Sequence, residues 1–141
     1  MLQHGICPQP LGSVGTSRVD ARGIAEAAAI TLTTEGHNGE VYNLVGPEAL
    51  TDRQIAKIWS KALAMSVTCA GDDLDAWEQQ SLQYLPAWMV FDFRLMYEYF
   101  QKNGLKATPE DIARQTKLLG HAPRSFEGFA VKTANMRSVM A

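Results

Sequence analysis

Cysteine is scarce in this chain, with Cys7 and Cys69 the only two in 141 residues. Neither belongs to a C-x-x-C pair or stands at ligand spacing from a histidine. A structural zinc site, which needs three or four converging ligands, is therefore excluded. Two thiols with no export signal read as reduced side chains rather than a disulfide. Long apolar runs are also missing, and the opening residues MLQHGICPQP lack the charged-then-apolar pattern of a leader. Nor does one sign of charge dominate: 13 basic and 15 acidic residues leave a net of -2. That balance argues against non-specific binding to nucleic acid or an anionic membrane. The expectation is a soluble, cytoplasmic protein with no metal.

What is present is globular composition, 46% hydrophobic and 20% charged. At this length a chain buries enough surface to fold as a single domain, residues 1–141. Charge is uneven along it: residues 71–100 carry six acids against Arg94, whereas residues 101–141 carry seven bases and three acids. Solvated faces that partly neutralise each other account for this pattern.

Local signals mark the elements. Residues 1–16, rich in Gly and Pro, read as irregular. Asp20 reads as the N-cap of a helix over Ala21–Thr34, closed by Gly36, with Ile24, Ala27, Ala28, Thr31 and Leu32 inward. Val41–Val45 reads as a strand. Thr51 and Gln54 have capping-box spacing ahead of an Ile55, Ile58, Trp59, Ala62, Leu63 stripe. Val67–Ala70 reads as a second short strand, and Asp72 or Asp73 caps the helix that follows it. Pro86 opens a helix to Asn103 that ends at Gly104, with Met89, Phe93, Met96, Tyr97 and Phe100 on its inward face. Thr108-Pro109-Glu110-Asp111 starts another helix and Ser125 a last one. Residues 132–141 read as a flexible tail. The fold class is α+β, mostly helical, with two or three short strands. Strands so few and short call for partners on another polypeptide, or else are minor accessories.

No catalytic constellation emerges. There is no G-x-G-x-x-G between strand and helix, no P-loop, no G-x-S-x-G and no HExxH, so catalytic, cofactor-binding and metal residues are all expected to be none. His4, His37 and His121 are scattered in turn-like settings and read as solvated. Asp72, Asp73 and Asp75 read as a helix start. The aromatics Trp77, Tyr84, Trp88, Phe91, Phe93 and Tyr97 crowd one region. Most such stripes are core, but Trp88 and Phe91 lie off the inward face. Trp77, Tyr84, Trp88 and Phe91 are therefore the candidates for a ligand cleft or partner contact.

One stretch resembles a known family. Ser17, Val19, Asp20, Ile24 and Ala25, then Gly36, His37, Gly39, Tyr42, Leu44, Gly46, Pro47, Glu48, Ala49, Leu50 and Thr51, match the pattern of NmrA-like proteins. These are atypical short-chain dehydrogenase/reductases of the NAD(P)-binding Rossmann superfamily. A later G-x-x-P-R-[ST]-F is matched by Gly120, Pro123, Arg124, Ser125 and Phe126. The family's acidic residue before Ile-Ala is Gly23 here. The resemblance implies that residues 1–141 correspond to the substrate-side, C-terminal portion of such a protein, without the N-terminal nucleotide-binding half. It implies NAD(P)H-dependent reduction of quinones or dyes, or redox sensing, for full-length relatives. For the chain alone it implies no NAD(P) and no reductase activity. The alternative is a free-standing module, a homodimer or other homo-oligomer, that binds a small apolar ligand or a protein partner. A separate nucleotide-binding chain is the further candidate partner.

Overall fold

The computed structural model describes residues 5–140, and the loop histidine His4 lies outside them. The elements in chain order are β1 (Ile6–Cys7), β2 (Thr16–Ser17), α1 (Ala21–Thr33), β3 (Ala49–Leu50), α2 (Asp52–Leu63), β4 (Thr68–Cys69), α3 (Leu74–Ser81), α4 (Ala87–Asn103), α5 (Pro109–Leu119) and α6 (Phe126–Met140). The fold is mostly helical α+β, as its sequence predicts. Its strands are two residues each. β1 and β4 pair in parallel, with Ile6 opposite Thr68 and Cys7 opposite Cys69, and β2 and β3 form a second two-stranded sheet.

The chain groups into two compact units, each assembled from separated segments. The first comprises residues up to Thr16 and Leu50–Leu105; the second comprises Ser17–Ala49 and Lys106 onward. Length and composition do not reveal this interleaving.

In the first unit, α2 forms where the sequence places it. Thr51 and Gln54 make a complete capping box, and Ile55, Ala56 and Trp59 are buried. Asp73 caps α3 by accepting hydrogen bonds from the Asp75 and Ala76 backbones. α4 packs on α3, but its inward face is not the predicted one. Val90 is fully buried and Tyr97 nearly so, whereas Phe93 is 38% exposed and Met96 36%. The helix is turned by roughly a quarter of a revolution from its apparent stripe, so that Val90, Arg94, Tyr97 and Gln101 face inward. The reason is that α4 is apolar nearly all round: Trp88, Phe91, Leu95 and Tyr99 form a second stripe, each residue at least 50% exposed.

In the second unit, Asp20 caps α1 as expected, accepting a hydrogen bond from the Arg22 backbone. α1 packs on α5 through Gly23 and Ala27, both buried. Ile24 and Leu32 face out, because the close helix contact uses the smallest side chains, and Thr34, not Gly36, is the C-cap. The predicted strand Val41–Val45 is irregular. A strand needs a neighbour for its ladder, and this segment instead donates the Val45 N–H to Gln115 Oε1 at 2.7 Å. α5 begins with a capping box between Thr108 and Asp111. α6 continues to Met140, since nothing after Gly128 breaks a helix, so residues 132–140 are helical where a loose tail is the sequence expectation.

Candidate functional site

Two grooves and one exposed helix face are the candidate sites. The larger groove, ≈ 740 Å³, lies in the first unit and is lined by Gly12, Asp52, Lys57, Ser60, Cys69 and Asp72 among others. Its chemistry centres on Asp52 at the start of α2. Asp52 Oδ2 accepts the N–H groups of Leu11 at 2.9 Å and Gly12 at 3.2 Å, and Gly12 N–H also reaches Asp72 Oδ1 at 2.9 Å. The loop at residues 11–12 is thus held by two carboxyl groups. Burial first, then the Asp72 hydrogen bond and charge, push the Asp52 carboxyl up to about 6, against the two N–H donors that lower it. Burial, followed by the charges of Asp52 and Asp72, also raises the Cys69 thiol.

This arrangement makes Asp52's own contribution to stability fall with rising pH. Between its unfolded value near 3.8 and about 6, native Asp52 keeps a proton that the unfolded chain has released. The native state then binds more protons than the unfolded state, so Asp52's contribution is full below pH 4 and lost as pH passes 6. In urea titrations from pH 4 to 7, the stability of the parent relative to Asp52→Asn should decline across this window and level off above it. A flat or rising difference would show that the fold does not hold a proton on Asp52.

The smaller groove, ≈ 400 Å³, lies in the second unit between Ile30, His37, Glu40, Tyr42, Arg114, Lys117 and Leu118. His37 Nδ1 lies 2.9 Å from the Tyr42 hydroxyl and its Nε2 2.8 Å from Thr34 Oγ1. Arg114 stacks over the Tyr42 ring at 5.0 Å and pairs with Glu40. His37 is thereby a latch on the 34–42 loop rather than a solvated histidine. His121 is likewise engaged: its Nε2 sits 3.0 Å from Glu26 Oε1, while Arg124 donates to Glu26 Oε2 at 2.9 Å. The His121 Nδ1 contact with the Ala122 carbonyl, and then Glu26, raise its pKa.

The four aromatic candidates do not converge. Trp77 packs edge-on against Tyr97, ring centroids 5.0 Å apart, and is half-buried in the α3–α4 contact. Tyr84 and Trp88 are each 65% exposed and Phe91 59%. None lines either groove. The acidic run also divides: Asp73 caps α3, Asp75 pairs with Arg94, and Asp72 enters the groove. Asp52 is the residue that sequence reasoning missed. An acid after a capping threonine reads as a helix-dipole partner, and its loop partners lie some forty residues earlier. Among the described residues, no group of three or more His, Cys, Asp or Glu could hold a metal, and no helix is long and apolar enough to cross a membrane.

Comparison with known proteins supplies what the geometry does not. No protein-family model matches the chain. It is 36% identical over 122 residues to an NAD(P)H azoreductase of Xenophilus azovorans, covering 86% of this chain and 42% of that protein. It is 27% identical over 130 residues to a (4-alkanoyl-5-oxo-2,5-dihydrofuran-3-yl)methyl phosphate reductase of Streptomyces griseus, covering 92% of this chain and 45% of that one. Among solved structures, the Citrobacter sp. triphenylmethane reductase complexed with NADP(H) superposes with a TM-score of 0.77 at 25% identity, over 94% of this chain and 45% of that one. An NADPH-dependent quinone oxidoreductase from Escherichia coli shares the fold, with a TM-score of 0.79 at 23% identity, over 94% of this chain and 47% of that one. The chain spans a little under half the length of these relatives. These similarities fit the C-terminal portion of an NmrA-like atypical short-chain dehydrogenase/reductase.

Proposed function

We propose that this chain is the substrate-side portion of an NAD(P)H-dependent reductase of conjugated, ring-bearing acceptors, the class that includes azo compounds, triarylmethane dyes and quinones. The observation that carries this reading is the 36% identity to an NAD(P)H azoreductase. The exposed rings of Tyr84, Trp88 and Phe91 support it, because conjugated rings stack on such faces. These 141 residues hold no Gly-rich strand–helix unit, so alone they neither cradle a dinucleotide pyrophosphate nor turn over.

Two titrations of the 141-residue chain test the proposal. NADPH followed by fluorescence should show no saturable binding below about 100 μM, equivalent to roughly -5.5 kcal/mol. An azo dye such as methyl red, followed by absorbance, should bind, and Trp88→Ala or Phe91→Ala should weaken it several-fold. Tight NADPH binding, or dye binding indifferent to both substitutions, would sink this reading.

A second reading is favoured by one feature, the outward stripe of Trp88, Phe91, Leu95 and Tyr99 on α4. Apolar surface of that extent marks a contact with another chain. A twofold homodimer is the commonest arrangement. Light scattering on the titration samples separates the two readings: dimer mass with no dye binding favours the module, and monomer mass with dye binding favours the reductase portion.

A further inference from the structure

Cys7 and Cys69 are far apart in sequence, yet they occupy the same register position of the parallel β1–β4 pair. Neighbouring strands run about 4.8 Å apart, and side chains at matched positions of a parallel pair leave the same face. That spacing lies inside the Cα separation of roughly 4.4–6.8 Å that a disulfide spans. Both residues are partly exposed, both are thiols, and the chain has no third cysteine to compete. Cys69 also forms part of the wall of the larger groove, beside Thr68 and Gly71.

We infer that Cys7 and Cys69 form a reversible intramolecular disulfide when the chain meets a low-molecular-weight disulfide oxidant. One cysteine thiolate attacks a sulfur of the oxidant, forming a mixed disulfide and releasing one thiol. The second cysteine thiolate then attacks the protein sulfur of that mixed disulfide. The protein S–S bond forms and a second thiol leaves. The two electrons of the protein dithiol reduce the oxidant, and the two cysteine protons end on the two released thiols. Burial and the neighbouring aspartates keep the Cys69 thiol protonated at neutral pH, so the exchange is slow there and quickens in alkali. The bond fastens β1 to the groove wall and replaces a thiol in the groove with a cross-link.

Oxidised glutathione is the probe. Incubated with an excess at pH 8, the chain should fall from two titratable thiols to none and lose about 2 Da. Digestion without reductant should yield one peptide pair joined through Cys7 and Cys69. The oxidised chain should melt higher than the reduced one, because the cross-link restricts the unfolded state, and dithiothreitol should reverse both changes. Cys7→Ser and Cys69→Ser should each retain a stable glutathione adduct, since the resolving thiol is gone. Two glutathiones on the parent chain, two thiols that survive the treatment, or cross-links only between molecules would overturn the inference. The parent chain alone distinguishes these outcomes, whether or not the serine variants fold.

Discussion

Gly46→Ala should destabilise the protein by about 3 kcal/mol or more, the largest effect expected from adding a single methyl group. A Cβ at position 46 would lie 2.0 Å from the Arg18 carbonyl oxygen and 2.7 Å from its carbon. Nothing in that contact is the flexible end of a side chain; it is backbone against backbone, tied by the Gly46 N–H to the Ser17 carbonyl at 3.4 Å. The two segments must part or the chain must reroute. Gly23→Ala is the control of opposite sign, since its Cβ would meet only the ends of Gln115 and Arg124 at 3.9 and 4.0 Å. There the removal of glycine from a helix should stabilise by up to about 1 kcal/mol. Urea unfolding of both variants reads the difference. A Gly46→Ala protein as stable as its parent would disprove the close approach.

Tyr97→Ala should cost about 3–5 kcal/mol, and Phe93→Ala less than about 1.5 kcal/mol, although both rings lie on what the sequence presents as one apolar face. Tyr97 is 7% exposed and meets Trp77 edge-on, so its removal leaves a cavity between α3 and α4. Phe93, at 38% exposed, already loses part of its ring to water. Thermal melts of the two variants should therefore differ by many degrees. Should the order reverse, α4 is rotated from its described position, and the assignment of Trp88 and Phe91 to its outer face fails with it.

The turn of α4 away from its apparent stripe marks where the sequence stops being legible. Asp20, the Thr51–Gln54 box, the helix start at Thr108 and Gly104 are read correctly because each acts within a few residues of itself. The inward stripe of α2 is legible for a related reason: Lys57 and Lys61 mark its opposite side. α4 offers no such contrast, with Trp88, Phe91, Leu95 and Tyr99 competing against Val90 and Tyr97 for the core. Val41–Val45 has strand composition but takes its hydrogen bond from a glutamine of α5, which no local pattern announces. The larger groove is hidden for the same cause. Asp52 looks like a helix-start acid until the loop at residues 11–12 is laid against it. The matched position of Cys7 and Cys69 likewise exists only after two distant strands pair. In the family-like stretch, His37, Tyr42, Gly46 and Thr51 are legible as a pattern, and each of them serves the scaffold.

The interleaving of the two units sets an order of events during synthesis. Ser17–Ala49 leaves the ribosome well before its companion segment, which begins at Lys106. α1 is 13 residues long and contains a glycine, so on its own it is a marginal helix. Its packing surface, Gly23 and Ala27, has nothing to press against until α5 has been made. All segments of the first unit are present once Leu105 has emerged. The nascent chain therefore holds every segment of the first unit before the second is complete, and through that interval α1 lacks its partner and is open to chaperones and proteases.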